Sequence, residues 1–255
     1  MRASHGIRLP LVWLCIVIVA AQGCTWGSKN GVPWWGSKKE KEEAATNLDK
    51  YGPVAFKRVE FIKMEGKYAA EGGQQEKQKV ADDLARSIQT EQDPLVRMEM
   101  VRTLTTIPNE TAANVLYNGM KDPDPEVRIA VCEAWGKRAA MATKAGGVAT
   151  PQTTETDAAA RLLSEALAGD TNVDVRLAAA RALGKVRNDP RAVGALGIAL
   201  KDQDPALQFR AVASLKEVSG KDFGNDVGKW QQYVDSVVPP GQQPKAIAGR
   251  PQDTK

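Results

Sequence analysis

The sequence predicts an all-α fold, an α-solenoid of about four to five helical hairpins with a disordered linker before it and a disordered tail after it. Three observations predict it. A seven-residue motif recurs four times, each copy opens with a helix-starting signal, and each is followed by apolar residues at helical spacing.

The motif reads Glu91-Gln92-Asp93-Pro94-Leu95-Val96-Arg97, then Asp122-Pro123-Asp124-Pro125-Glu126-Val127-Arg128, then Asp170-Thr171-Asn172-Val173-Asp174-Val175-Arg176, and last Asp202-Gln203-Asp204-Pro205-Ala206-Leu207-Gln208. The steps are 31, 48 and 32 residues, and the long one holds a Gly-, Ala- and Thr-rich insert around 144–156. Asp93, Asp124, Asn172 and Asp204 stand where an N-cap oxygen would accept orphan backbone N–H groups. Pro94, Pro125 and Pro205 follow at the first helical position, where a missing donor costs nothing.

Counted from Val96, Val127, Val175 and Leu207, apolar residues return at fixed offsets. Two on are Met98, Ile129, Leu177 and Phe209; four on are Met100, Val131, Ala179 and Ala211. Five on come Val101, Cys132, Ala180 and Val212, and eight on Leu104, Trp135, Leu183 and Leu215. A helix this apolar must touch neighbours on two sides, which stacked repeats provide and one hairpin cannot. Partner helices precede each motif, around Val80 and Leu84, Val115 and Leu116, Leu162 and Leu163, and Val193 and Leu196. Further helices over 53–68 and 226–237 would cap a repeat core of about 77–219, within a domain spanning 48–238.

The first 23 residues read as a signal peptide. Arg2, His5 and Arg8 form a basic start, and 9–21 is an apolar run too short to span a bilayer. Ala21-Gln22-Gly23-Cys24 resembles the bacterial lipobox, which implies lipidation of Cys24 and a lipid-anchored, periplasm-facing protein of the cell envelope. Thr25 rather than Asp after that cysteine resembles lipoproteins of the outer membrane. Residues 24–47 carry Trp26, Trp34, Trp35, glycines and a run of alternating charge, the composition of a linker. The three Trp would sit at the headgroup level or pack on the first helices. Residues 239–255 read as a tail.

Composition excludes several functions. Of 35 basic residues Arg2 and Arg8 leave with the leader, so 33 face 31 acidic ones, too even a balance for a nucleic-acid binder. The only His is His5, also in the leader, which leaves no imidazole for a metal, a proton relay or an activated nucleophile. We therefore expect no metal, no cofactor and no catalysis. Cys132 lies on the apolar stripe and reads as a core residue.

The blocks 175–184 and 200–216 resemble the short HEAT and bilin-lyase-like HEAT repeats, a likeness covering about 77–219. It implies a ladder in which the Arg after Val reaches an Asp of the same or a neighbouring repeat, assigned to Asp93, Arg97, Asp124, Arg128, Asp174, Arg176 and Asp204, with Gln208 departing from the pattern. The segment 220–230 resembles the tail of planctomycete HEAT proteins. The family also implies a scaffold that binds a protein partner, the alternative being a bilin-lyase-like enzyme. Glu99, Arg102, Glu133 and Arg181, beside the apolar stripe, are the expected partner-binding residues.

Overall fold

The computed structural model describes residues 54–144, 151–187 and 189–238. Cys24, the three Trp of the linker and the tail lie outside them. Two compact units divide the chain between Arg58 and Val59. Of the first, only 54–58 are described, the opening of a helix; the second holds the helical stack.

Among the described residues there are ten helices and no strand. In chain order they are α1 (Ala55–Glu71), α2 (Gln74–Ser87), α3 (Pro94–Thr105), α4 (Glu110–Gly119), α5 (Pro125–Lys144), α6 (Pro151–Gly169), α7 (Val173–Leu183), α8 (Pro190–Ala199), α9 (Pro205–Ser219) and α10 (Val227–Val237). The motif helices α3, α5, α7 and α9 pack side by side as one layer. The helices between them form a second layer, with α2 on α4, α6 on α8 and α8 on α10. One apolar core runs between the layers from Val101 to Val234.

The motif starts its helices as anticipated. Asp93 accepts from the Leu95 N–H at 2.9 Å, Asp124 from Glu126 at 2.8 Å, Asn172 from Asp174 at 2.8 Å and Asp204 from Ala206 at 2.8 Å. Asp189 and Pro190 repeat the device at α8, where Asp189 accepts from the Arg191 N–H at 2.8 Å. The residues four and eight positions after each motif Val or Leu are all buried. The exception to the apolar template is Phe209. Its counterparts Met98, Ile129 and Leu177 are partly buried against the core, but Phe209 is 65% exposed, and among the described residues no further motif helix packs on α9.

The long repeat step is also explained. α5 and α6 have 20 and 19 residues, against 10 to 15 in α2 to α4 and α7 to α10, so the described parts of the insert, 144 and 151–156, are extra helix. The extra turns bring in Arg138, which occupies the slot held by Ile107, Val186 and Val218 in the other repeats and is likewise buried. Its Nη1 donates to the Ile107 carbonyl at 2.8 Å and the Leu104 carbonyl at 3.4 Å, and its Nη2 pairs with Glu155 at the start of α6. A buried charge needs both kinds of partner.

Close approach within the motif layer depends on small residues nine positions after each motif Val. A Cβ on Gly136 would stand 3.0 Å from Cβ of Ala182, and one on Gly184 would stand 3.2 Å from Cβ of Ser214. On α9 the same offset holds Lys216, exposed, with no next helix to crowd. Gly136→Val is expected to cost about 1 to 3 kcal/mol by overpacking, whereas Lys216→Val stays within about 0.5 kcal/mol. Urea unfolding followed by helical circular dichroism checks the pair, and equal costs would show that the α5–α7 spacing is not what fixes the glycine.

Candidate functional site

The polar features of the stack are of two kinds: those that hold repeats together and those that a partner could touch. Arg97 points its Nε and Nη2 at both carboxylate oxygens of Asp122, each at 2.8 Å, while its Nη1 donates to the carbonyls of Gln92 at 2.9 Å and Glu91 at 3.2 Å. Arg128 does the same one repeat later, with Asp170 at 2.8 and 2.9 Å and the Asp122 carbonyl at 2.8 Å. Arg176 donates from Nη1 to the Asp170 carbonyl at 2.9 Å. Each guanidinium so ties its own loop, and Arg97 and Arg128 bridge to the next repeat. The hydrogen bonds from Arg97 to Asp122 and from Arg128 to Asp170 hold both arginines charged beyond the ordinary guanidinium range, against the opposing effect of burial.

This corrects the expected ladder in one respect. The carboxylates that accept from Arg97 and Arg128 are Asp122 and Asp170, the first acidic residues of the motif, and not Asp93, Asp124, Asp174 or Asp204. Asp93, Asp124 and Asp204 spend their side chains capping helices, and Asp174 lies exposed in the first turn of α7. Asp122 and Asp170 face the preceding repeat and also accept the backbone N–H two residues on, from Asp124 and Asn172, each at 2.9 Å.

At the far end, Gln208 stands in the Arg position. Its Nε2 keeps the loop contact, donating to the Asp202 carbonyl at 2.6 Å.

The residues expected to meet a partner fall on the motif layer. Arg102, Glu133 and Arg181 hold one template position, six after the motif Val, on α3, α5 and α7, and all three are exposed or half-exposed. Glu133 and Arg181 form a 4.0 Å ion pair from one helix to the next. Lys185, just past the end of α7, pairs with Glu217 of α9 at 2.7 Å. Glu99 differs from the other three: its side chain is only 12% exposed and it accepts from Arg102 at 3.5 Å, so it positions Arg102 rather than presenting itself.

A second exposed feature escaped the sequence. On the other layer Tyr117 of α4 lies between two cations, Lys121 at 5.9 Å and Arg161 of α6 at 5.8 Å from its ring centre. Alongside, Arg191 of α8 pairs with Asp189 at 2.9 Å and with Asp157 of α6, and that contact holds the Asp157 carboxyl below its usual range. Lys121 and Asp189 are near neighbours of Tyr117 and Arg191 in the chain, but Arg161 and Asp157 are brought to them only by the packing of α6 among α4 and α8.

Cys132 is fully buried on α5, and burial pushes its thiol up to about 12. A thiolate nucleophile would need the opposite shift. Among the described residues no group of three or more His, Cys, Asp or Glu could hold a metal ion, and no helix is long and apolar enough to cross a membrane.

A family model described as HEAT repeats matches residues 81–155 and 159–226. The comparison with curated proteins gives no match.

Asp170→Ala would leave the Arg128 guanidinium buried without its carboxylate and is expected to cost about 3 to 5 kcal/mol. Asp174→Ala removes only an exposed charge at a helix start and costs no more than about 1 kcal/mol. Chemical denaturation of both variants checks the assignment; the reverse order would return the ladder to Asp174.

Proposed function

Since the chain belongs to the HEAT-repeat family, whose stacked helices commonly mediate protein interactions, we propose that it is a lipid-anchored scaffold that binds a protein partner on the envelope side of a membrane and does no chemistry of its own. The observation that carries the binding part is the row of Arg102, Glu133 and Arg181. It sets charges of alternating sign on three neighbouring helices, at intervals of about 8 to 10 Å, as an extended partner could read them. Arginine on a rigid helical face is well suited to the centre of an interface. The buried Cys132 supports a binding role over a catalytic one.

The anchor rests on the leader and on Gly23-Cys24, and Thr25 supports the outer membrane. Within the family, the 31- and 32-residue steps support the compact branch that includes the bilin-lyase-like repeats, and the segment 220–230 supports a bacterial, planctomycete-type member.

Two measurements test the reading. Mass spectrometry of the mature protein is expected to find Cys24 as an acylated N-terminus, and an unmodified terminus beyond it would sink the anchor. Cross-linking from native membranes is expected to capture a partner with the wild type and to lose it with Arg102→Glu/Arg181→Glu. The Glu133–Arg181 pair is exposed and worth about 1 kcal/mol or less, so the double variant keeps its helicity. Equal capture by a folded double variant would move the binding face elsewhere, with Tyr117 and Arg161 next to be replaced.

A further inference from the structure

We propose that α1 pairs two copies of the chain as a short antiparallel coiled coil centred on Met64. One side of α1 meets the stack: Ile62 and Ala69 are buried, and a Cβ on Gly66 would stand 3.2 Å from Cγ2 of Thr103 on α3. That accounts for one side of the helix. Beside it runs a row that the fold leaves uncovered: Phe61, Met64 and Tyr68, exposed by 58%, 62% and 53%, continuing to the exposed Glu71.

The intervals are three, four and three. This is the alternation of a heptad seam, the spacing that keeps one helix edge against a second helix, rather than the scatter of single surface apolar residues. Three large apolar side chains in file on one edge need an occupant, and the charges beside them identify it. Glu60 and Lys67, both exposed, flank the row on the same side, four residues before Met64 and three after it.

Laid against a second α1 running the other way, with Met64 on the two-fold axis, the row is its own complement. Phe61 of each copy falls within one residue's rise of Tyr68 of the other, and Glu60 within one residue's rise of Lys67, so the Glu60–Lys67 pair of opposite charges forms twice. A parallel pairing would put the two copies' Glu60 and Lys67 on opposite flanks of the seam and form no Glu60–Lys67 pair. The closed two-fold arrangement is also the commonest for a self-complementary patch. The paired edge is distinct from the row of Arg102, Glu133 and Arg181, so the dimer stands whether or not that row binds a partner.

The experiment uses the full chain in mild detergent, with Cys15→Ser and Cys24→Ser so that the leader thiols take no part. Sedimentation at tens of micromolar is expected to show a dimer. Met64→Glu, which puts two like charges on the axis at an exposed position, is expected to raise the dissociation constant at least tenfold with helicity unchanged. Met64→Cys is expected to form an interchain disulfide under mild oxidant, whereas Met141→Cys, exposed elsewhere on the molecule, does not. Glu60→Lys and Lys67→Glu are each expected to weaken the dimer, and the two together to restore it. A monomeric wild type, a dimer indifferent to Met64→Glu, equal cross-linking at 64 and 141, or a double charge swap no better than either single would each overturn the pairing.

Discussion

The Arg–Asp contact between repeats is the constraint from which much of the stack derives. Each bridging guanidinium has three jobs: two donors take both oxygens of the next repeat's Asp, and the third closes the loop that starts its own helix. Helix start, loop shape and repeat register are therefore fixed by one side chain. An apolar interface alone leaves helices free to slide by fractions of a turn, because hydrophobic burial is not directional. A bidentate pair at 2.8 to 2.9 Å is directional. The buried pair adds little net stability over an apolar substitute, so its main physical contribution here is alignment.

Alignment in turn decides where small residues are needed. With the register set, the ninth position after the motif Val of α5 and α7 meets the next motif helix, and at Gly136 and Gly184 even a Cβ would crowd it. α9 shows the converse. It has Gln208 for Arg, Lys216 for Gly and an exposed Phe209, three departures that go together with one fact: among the described residues no motif helix comes after it. A guanidinium at 208 would lack the carboxylate of a further repeat, and a glycine at 216 would weaken the helix without making room for anything. The end of the layer is thus written into positions that look like ordinary substitutions when the repeats are aligned.

Much of the fold was legible because its signals are local or periodic. Asp-Pro starts helices by satisfying backbone groups within a few residues, and an apolar stripe at helical spacing needs no knowledge of the partner helix. The site was less legible because pairing is not local. Sequence offers several Asp residues near each Arg, and only the packing of one repeat on the next shows that Asp122 and Asp170 face the guanidiniums while Asp124 caps a helix and Asp174 lies exposed. Arg138 was hidden for a different reason: its acceptors come from the end of α3 and from Glu155 in an insert that reads as loop by composition. The three-four spacing in α1 was present in the sequence, but its meaning depends on knowing which edge the neighbouring helices leave open.

The surface inherits this order. Arg102, Glu133 and Arg181 are ordinary one at a time, since a charge on an exposed helix is most often only solvated. They become a row because each occupies the same offset in repeats that the Arg–Asp contacts hold at constant register. The insert enlarges the α5–α6 hairpin without breaking the row, because Arg138 and Glu155 tie the added turns to the carbonyls at the end of α3, and Glu133 on α5 still reaches Arg181 on α7. Recognition by such a surface is a property of the spacing between repeats. A change that slips one repeat against the next would therefore disturb the row as surely as removal of one of its charges, even though the altered residue touches no partner.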